Sequence, residues 1–500
     1  VKREKSGEIR LTSGPQSVAE ISAPESASLF QLKSKAAPGS LAGEDYSSQS
    51  IVMAAGETPL QLAPTNLTSS GRFMQPDGGG KVPYFIDCDH LPAGMTVSQA
   101  VWSVSSALAV WTNACSVRFE FAGFASFGVA AKDLEVSDGA LRIQLHDAYG
   151  SLSGETELGE GGSTWFIQEL PAGWTTGGTV AGNPFHQTIR GYITLKHSAP
   201  EMANLLTFTE VLAHEIGHAL GLGHSSQMSP EPNSHLREAI MYWLVHEDNR
   251  GARLNQWDTN VCRQLHPLNT PPVCFDRYMD IITSPLIPLN VPGVNKVQIP
   301  GFDLQSTNLT FEITNATSNN GTFTLASNTV TYVPKANFMD APRLDPSTGM
   351  GYDFLYVRCK DGTNTSPCRQ VAVVSVNQDM YNEGVPDWWR LSHFGSKNPN
   401  TGPKHKANDD ADADGYSNIQ EWRLFSDPVD RQSNLKITSS SCTNFHFQAR
   451  GYDVYEVFRS TNFSAWTREP SFVAPVDIVG EYKLNTTISP RSYYRVRRVP

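Results

Sequence analysis

The chain has 500 residues, which at about 150 residues per domain predicts roughly three domains rather than one core. Hydrophobic residues make up 39% and charged residues 18%, a balance that fits folded domains and excludes a disordered, highly charged chain. Lysine and arginine number 39 against 50 acidic residues, giving a net charge of −11 with no long basic run, which speaks against a nucleic-acid partner.

Residues 1–71 are poor in aromatics and lack periodicity, so they are read as a flexible N-terminal extension or pro-segment. Asp77, ahead of three glycines, is read as an exposed turn. KVPYFID at 81–87 predicts a strand, and 97–113 predicts a helix with Val101, Val104, Leu108 and Trp111 on one face. Alternation at 117–124 and 141–148 predicts two more strands. The Gly- and Glu-rich stretch 150–163 reads as a loop, and 163–170 and 191–198 as further strands. A helix is expected over 207–221. A shorter one starts near Asn255, with Asn255 and Asp258 placed as N-cap and N3 partner. Strands preceding helices predict an α+β domain over 72–268. No apolar run reaches the roughly 18 residues that a membrane-spanning helix needs.

Within that domain, EVLAHEIGHALGLGHS at 210–225 contains the pattern H-E-x-x-H-x-x-G-x-x-H. On a helix, His214 and His218 stand one turn apart on one face, so their imidazoles can converge on one Zn²⁺. Gly221 lacks a Cβ and can adopt the left-handed conformation that ends a helix, after which the chain can return His224 as a third ligand. Three neutral imidazoles leave a fourth position open, the pattern of a catalytic rather than a closed structural site. Glu215 directly follows the first ligand and is placed to act as general base on a water. An extended peptide would lie along an edge strand, for which 163–170 is the candidate.

These residues carry the signature of the metzincin metallopeptidases and resemble the matrixin branch most closely. Ser225 follows the third histidine, and Ala239-Ile240-Met241-Tyr242 resembles the Met-turn, whose methionine lies beneath the metal in that family. KVPYFID with AVWSVSSALAVWT resembles the family's opening strand and helix, and LNQWDTNVCRQLHP its last helix. The resemblance covers 72–268 and implies a zinc-dependent endopeptidase acting on a protein or peptide substrate. Three features depart from the family pattern. Trp243 stands where proline is usual, the spacer from His224 to Met241 is long, and no cysteine precedes Cys88 to serve as a cysteine switch. His146, Asp147 and His186 are the residues available for a further structural metal.

After His266, PLNTPPVC reads as a linker. Short alternating runs at 272–376 predict a β-sandwich, 377–432 is rich in Asp and Asn, and 433–500 returns to strands as a small C-terminal β-module. The expected architecture is therefore multidomain, an α+β metzincin-like catalytic domain followed by all-β modules and a calcium-binding linker. Asp410, Asp412, Asp414, Gly415 and Glu421 fit D-x-D-x-D-G-x5-E, with Asn418 at the ninth position and Tyr416 offering its carbonyl. Asp379, Glu383 and Asp387 suggest a second, weaker Ca²⁺ loop. The segment resembles thrombospondin-type-3-like or dockerin-like calcium linkers, 272–376 resembles cadherin-like or immunoglobulin-like modules, and 433–500 resembles small fibronectin-like terminal modules. These modules are read as attachment to extracellular matrix or a cell surface, or as spacers.

Seven cysteines fall into neighbouring sets, Cys88 with Cys115, Cys262 with Cys274 and Cys359 with Cys368, leaving Cys442. Local pairing would fit a secreted or cell-surface protein. The competing reading is a non-catalytic, calcium-stabilised adhesin with a vestigial zinc domain. The intact Glu215 and His224 favour the enzyme.

Overall fold

The computed structural model describes residues 2–4, 8–12 and 71–499, apart from 153, 155, 167, 169, 284–294, 336–337, 339–340, 345–350, 425, 435–436, 441–443, 449–453, 474–478 and 484–491. In the expected extension, β1 (Lys2–Glu4) pairs with β2 (Glu8–Thr12), which pairs in turn with the strand Tyr493–Arg498. That part of the extension is therefore strand; residues 13–70 lie outside the described residues.

The region expected to form the α+β domain opens with β3 (Gly71–Arg72) and β4 (Val82–Asp87). Helix α1 (Val97–Ala114) starts at a capping box in which Thr96 accepts from the Gln99 amide and the Gln99 side chain accepts from Thr96. It buries Val104, Leu108 and Trp111, while Val101 lies at the rim of the core. β5 (Phe119–Phe124), β6 (Leu141–Gln144), β7 (Gly159–Phe166), the small hairpin β8 (Thr179–Val180) and β9 (Asn183–Pro184), and β10 (His186–Leu195) follow. Four helices complete the domain's α layer: α1, α2 (Leu205–Ala219), the single turn α3 (Ser234–Arg237) and α4 (Gln256–Leu265).

The α+β expectation needs refining, because the sheet is mixed. β3, β4, β5, β6 and β10 pair in parallel, and β7 alone runs antiparallel, on the free side of β10. The connection β4-α1-β5 is a crossover that permits parallel neighbours. Helices α1 and α2 cover one face through Leu108, Trp111, Val211, Leu212 and Ile216, packed on Ile86, Ile143 and Ile193. Each such side chain, fully buried, contributes about 1.5–3 kcal/mol. Trp111 Nε1 also donates to the Ala213 carbonyl at 2.8 Å, fixing the two helices to each other.

Of the stretch 150–163 expected as a Gly-rich loop, the described residues before Gly159 are not strand, but Gly159–Ser163 form the first half of edge strand β7. An alanine Cβ at Gly159 would lie 2.7 Å from Glu215 Oε1, and one at Gly161 only 2.3 Å from the Glu215 carbonyl oxygen. These glycines let the strand press against α2, so they show no hydrophobic alternation. Asp77 departs likewise from an exposed turn. It is fully buried and forks onto Arg72 at 2.5 and 2.7 Å, while Arg72 Nε donates to Leu265 O at the end of α4.

Beyond the linker come β11 (Val273–Cys274), β12 (Arg277–Thr283), β13 (Lys296–Gln298), β14 (Gly301–Phe302), β15 (Thr310–Thr317), β16 (Gly321–Ala326), β17 (Thr329–Pro334), β18 (Asp353–Lys360) and β19 (Arg369–Gln378). The sheets β12-β19-β18-β15 and β13-β17-β16 share one apolar cluster that includes Ile281, Leu355 and Val373 from the first and Val297, Val330 and Tyr332 from the second. Helices α5 (Asp387–Phe394) and α6 (Asn418–Leu424) then pack Trp389 against Trp422. The C-terminal strands β20 (Ile437–Ser440), β21 (Asn444–Gln448) and β24 (Val479–Lys483) form one sheet. β22 (Tyr455–Ser460), β23 (Thr467–Val473) and β25 (Tyr493–Arg498) form another with β1 and β2. Among the described residues no helix is long and apolar enough to cross a membrane.

Candidate active site and metal centres

Asn204 caps α2 by accepting from the Leu206 amide, and the helix carries His214, Glu215 and His218 on its buried side. It ends at Gly221, whose φ of +95° is the left-handed turn expected there. A Cβ at that position would lie 2.6 Å from Gly71 O. The turn brings His224 back: His218 Nε2 lies 3.0 Å from His214 Nε2 and 3.3 Å from His224 Nε2.

The opposite ring nitrogens are fixed by the protein. His214 Nδ1 sits 2.7 Å from Ile240 O, His218 Nδ1 2.8 Å from Leu222 O, and His224 Nδ1 3.3 Å from Gln227 Nε2. For His214 and His218 that leaves Nε2 as the lone pair turned inward. Burial, and for His214 and His224 the neighbouring histidines, hold all three below the usual 6.5, with His218 at about 4. They are neutral imidazoles at physiological pH, the form that binds a metal. Two inward lone pairs beside His224 Nε2 fit Zn²⁺ once the His224 proton sits on Nδ1 with the Gln227 amide turned to accept it, and these are the three residues that the sequence pattern selects.

Glu215 is fully buried, and neither carboxylate oxygen has a hydrogen-bond partner. Burial, then the charges of Glu160 and Glu157, push its acid well above 4.5. A buried carboxyl with two open oxygens, one residue from a ligand, is suited to exchanging a proton. Glu157 and Glu160 lay in the stretch read as a loop, and nothing in that local pattern pointed to them.

Met241 lies against α2 between the two helical ligands, since a Cβ at Gly217 would come 2.2 Å from its sulfur. The turn 239–242 is held by Asp258, which accepts from Ile240 N at 2.9 Å and Met241 N at 3.2 Å as well as capping its own helix at Asn255 N. Sequence reasoning found the cap and missed this second duty. Trp243 and Tyr242 both donate to Met228 O, at 3.4 and 2.6 Å, which ties the long spacer back onto the turn. Replacing Asp258 with Ala leaves three amides without an acceptor. It is expected to cost about 2–4 kcal/mol and to lower the melting temperature accordingly. Thermal melts of variant and wild type check it, and an unchanged midpoint would refute the role given to Asp258.

Of the residues considered for another metal, His146 meets Asp87 at 3.0 Å and groups with Asp89, but not with His186, whose ring stacks near Trp165. Asp147 lies beside His197, which accepts from its amide.

Asp410, Asp412 and Asp414 do come together. Gly415, at φ +98°, turns the loop and donates to Asp410 Oδ2 at 2.8 Å. Asn418 directs its amide nitrogen to Lys404 O and Lys406 O, and its Oδ1 is left without a partner, as are Asp412 Oδ2 and Glu421 Oε2. Tyr416 is buried and its amide donates to Asp414. Burial, then Asp412, Asp414 and Asp410, push Glu421 up to about 8. Open oxygens of this type fit Ca²⁺. The residues of the weaker loop are otherwise engaged: Asp379 accepts from Tyr381 N and Gly384 N, Asp387 from Met380 N, and Glu383 pairs with Arg390 at 2.8 Å.

The matrixin family model matches residues 81–267, from the first long strand of the sheet to the end of α4. No curated protein matches the chain. The match and the histidine cluster together support a matrixin-type metallopeptidase domain in this part of the chain.

Proposed function

We propose that this protein is a secreted or surface-attached zinc endopeptidase in which His214, His218 and His224 hold the metal and Glu215 is the general base. The observation that carries the reading is the fully buried Glu215 carboxyl, with two unpartnered oxygens, beside three Nε2 atoms turned toward one another. Bound zinc would supply Lewis acidity toward a peptide carbonyl and make a water acidic near neutral pH. Glu215 then accepts a proton from the attacking water and returns it to the leaving amine as the C–N bond breaks. A new C–O bond takes its place, and no serine or cysteine nucleophile is needed.

β7 is the sheet edge nearest Glu215, and an extended substrate strand would lie along it. Ser163–Phe166 of the candidate stretch falls within that edge strand. The test is cleavage of a denatured protein mixture by the full chain, before and after chelation, with the zinc content measured in parallel. Cleavage lost with zinc and restored by zinc supports the reading. Cleavage indifferent to chelation, or no zinc under replete conditions, sinks it.

The proposal extends to Ca²⁺ held by Asp410, Asp412, Asp414, the Tyr416 carbonyl, Asn418 and Glu421, as a stiffener ahead of the terminal β-module. Without the cation, Glu421 is favoured as the acid. That contribution to stability is complete below its ordinary 4.5 and is lost as the pH rises through about 8. The protection that millimolar calcium gives residues 377–432 against proteolysis should therefore grow between pH 5 and 8. Digestion time courses with calcium or chelator, read by mass, check this, and equal rates would refute it.

A further inference from the structure

The close thiols are not the neighbours in sequence that spacing suggested. Cys262 Sγ on α4 sits 2.9 Å from Cys115 Sγ at the end of α1, across 147 residues, and both are fully buried. In the next module Cys274 Sγ on β11 lies 3.1 Å from Ser366 Oγ, which also accepts from the Cys359 amide on β18 at 2.9 Å, and both cysteines are fully buried in one apolar cluster. All four are thiols in the structure, as are the half-buried Cys88 and Cys368. Cys442 lies outside the described residues.

We propose that Cys115–Cys262 and Cys274–Cys359 are the disulfides of the mature protein, and that Cys88 and Cys368 remain thiols. The separation of 2.9 Å is closer than two unbonded sulfurs sit comfortably. Closing it to the bonded length of about 2.05 Å needs only a small side-chain adjustment. Among the described residues no thiol is hydrogen-bonded to Cys88, and burial and the charges of Asp87 and Asp89 raise its own thiol.

The oxidant is a disulfide of the glutathione or oxidoreductase class. The Cys115 thiolate attacks one of its sulfurs and expels a thiolate, and Cys262 then attacks the mixed disulfide and expels the second. Two protein thiols become one S–S bond, and the oxidant's S–S bond becomes two thiols. Because both cysteines are buried once α4 docks, the exchange belongs to folding. The loop closed by the first bond contains His214, His218, His224 and Met241. The bond also fastens α4, whose Asp258 holds the Met241 amide.

The test uses the full chain folded with zinc and oxidised glutathione, alkylated under denaturing conditions without reductant, digested and mapped by mass. Peptides linking Cys115 to Cys262 and Cys274 to Cys359 are expected, with Cys88 and Cys368 alkylated. Reductant should lower the melting temperature by roughly 10 °C. The absence of either link, or any link through Cys88 or Cys368, overturns the proposal. In C115A/C262A the shift on reduction should become smaller than in wild type, and a shift of unchanged size would also count against it. None of these readouts depends on peptidase activity.

Discussion

Glu215→Gln is expected to lower kcat/KM for a peptide substrate by about 10²–10⁴-fold while zinc content stays at the wild-type level. Glutamine keeps the shape of a side chain that is enclosed on every side, with Gly159 and Gly161 packed against it, so the fold should tolerate the change. What disappears is the capacity to take a proton from water and return it to an amine. The three imidazoles keep their own supports at Ile240 O, Leu222 O and Gln227, none of which involves Glu215. Steady-state kinetics with metal analysis on the same preparation checks the expectation. Turnover like that of wild type would remove Glu215 as the base, and loss of zinc would instead make it a structural support of the site.

The parts of this site that could be read in advance are those written in local spacing. The helical repeat fixes His214 and His218, and a single glycine with positive φ returns His224. The capping boxes at Thr96 and Asn255 each close within four residues, so the starts of α1 and α4 fell where the sequence put them. Hidden features are those in which a residue's neighbour lies far along the chain. Gly159 and Gly161 looked like a loop because a strand pressed onto a helix has no side chain with which to alternate. Asp258 was legible as a cap, but its hold on Ile240 and Met241 depends on how α4 docks. Cysteine pairing by proximity in sequence fails for the same reason: Cys115 and Cys262 meet across 147 residues that include strands β5, β6, β7 and β10. The weaker acidic loop has ligand-like spacing, yet Arg390 and backbone amides already occupy its oxygens.

Gly161→Ala should be among the most damaging single methyls next to the candidate site. The added carbon would lie 2.3 Å from the Glu215 carbonyl oxygen and 2.9 Å from its carbonyl carbon and Cα. All three are backbone atoms in the middle of a helix, so no rotamer change can relieve the contact. Either β7 retreats from α2 or the helix shifts, carrying Glu215 and the ligands on both sides of it. β7 cannot retreat freely, because its eight residues are registered along β10 from Gly159 opposite Leu195 to Phe166 opposite Gln187. The expected cost is about 3 kcal/mol, or roughly 10 °C in melting temperature for a domain of this size. Activity should fall at least tenfold in whatever fraction stays folded, since the base moves relative to the zinc. Gly78→Ala is the matched control: a Cβ there meets nothing within 4 Å, and its melting temperature should stay near wild type. If both variants melted together near the wild-type value, the close packing of edge strand β7 on α2 would not be what positions Glu215.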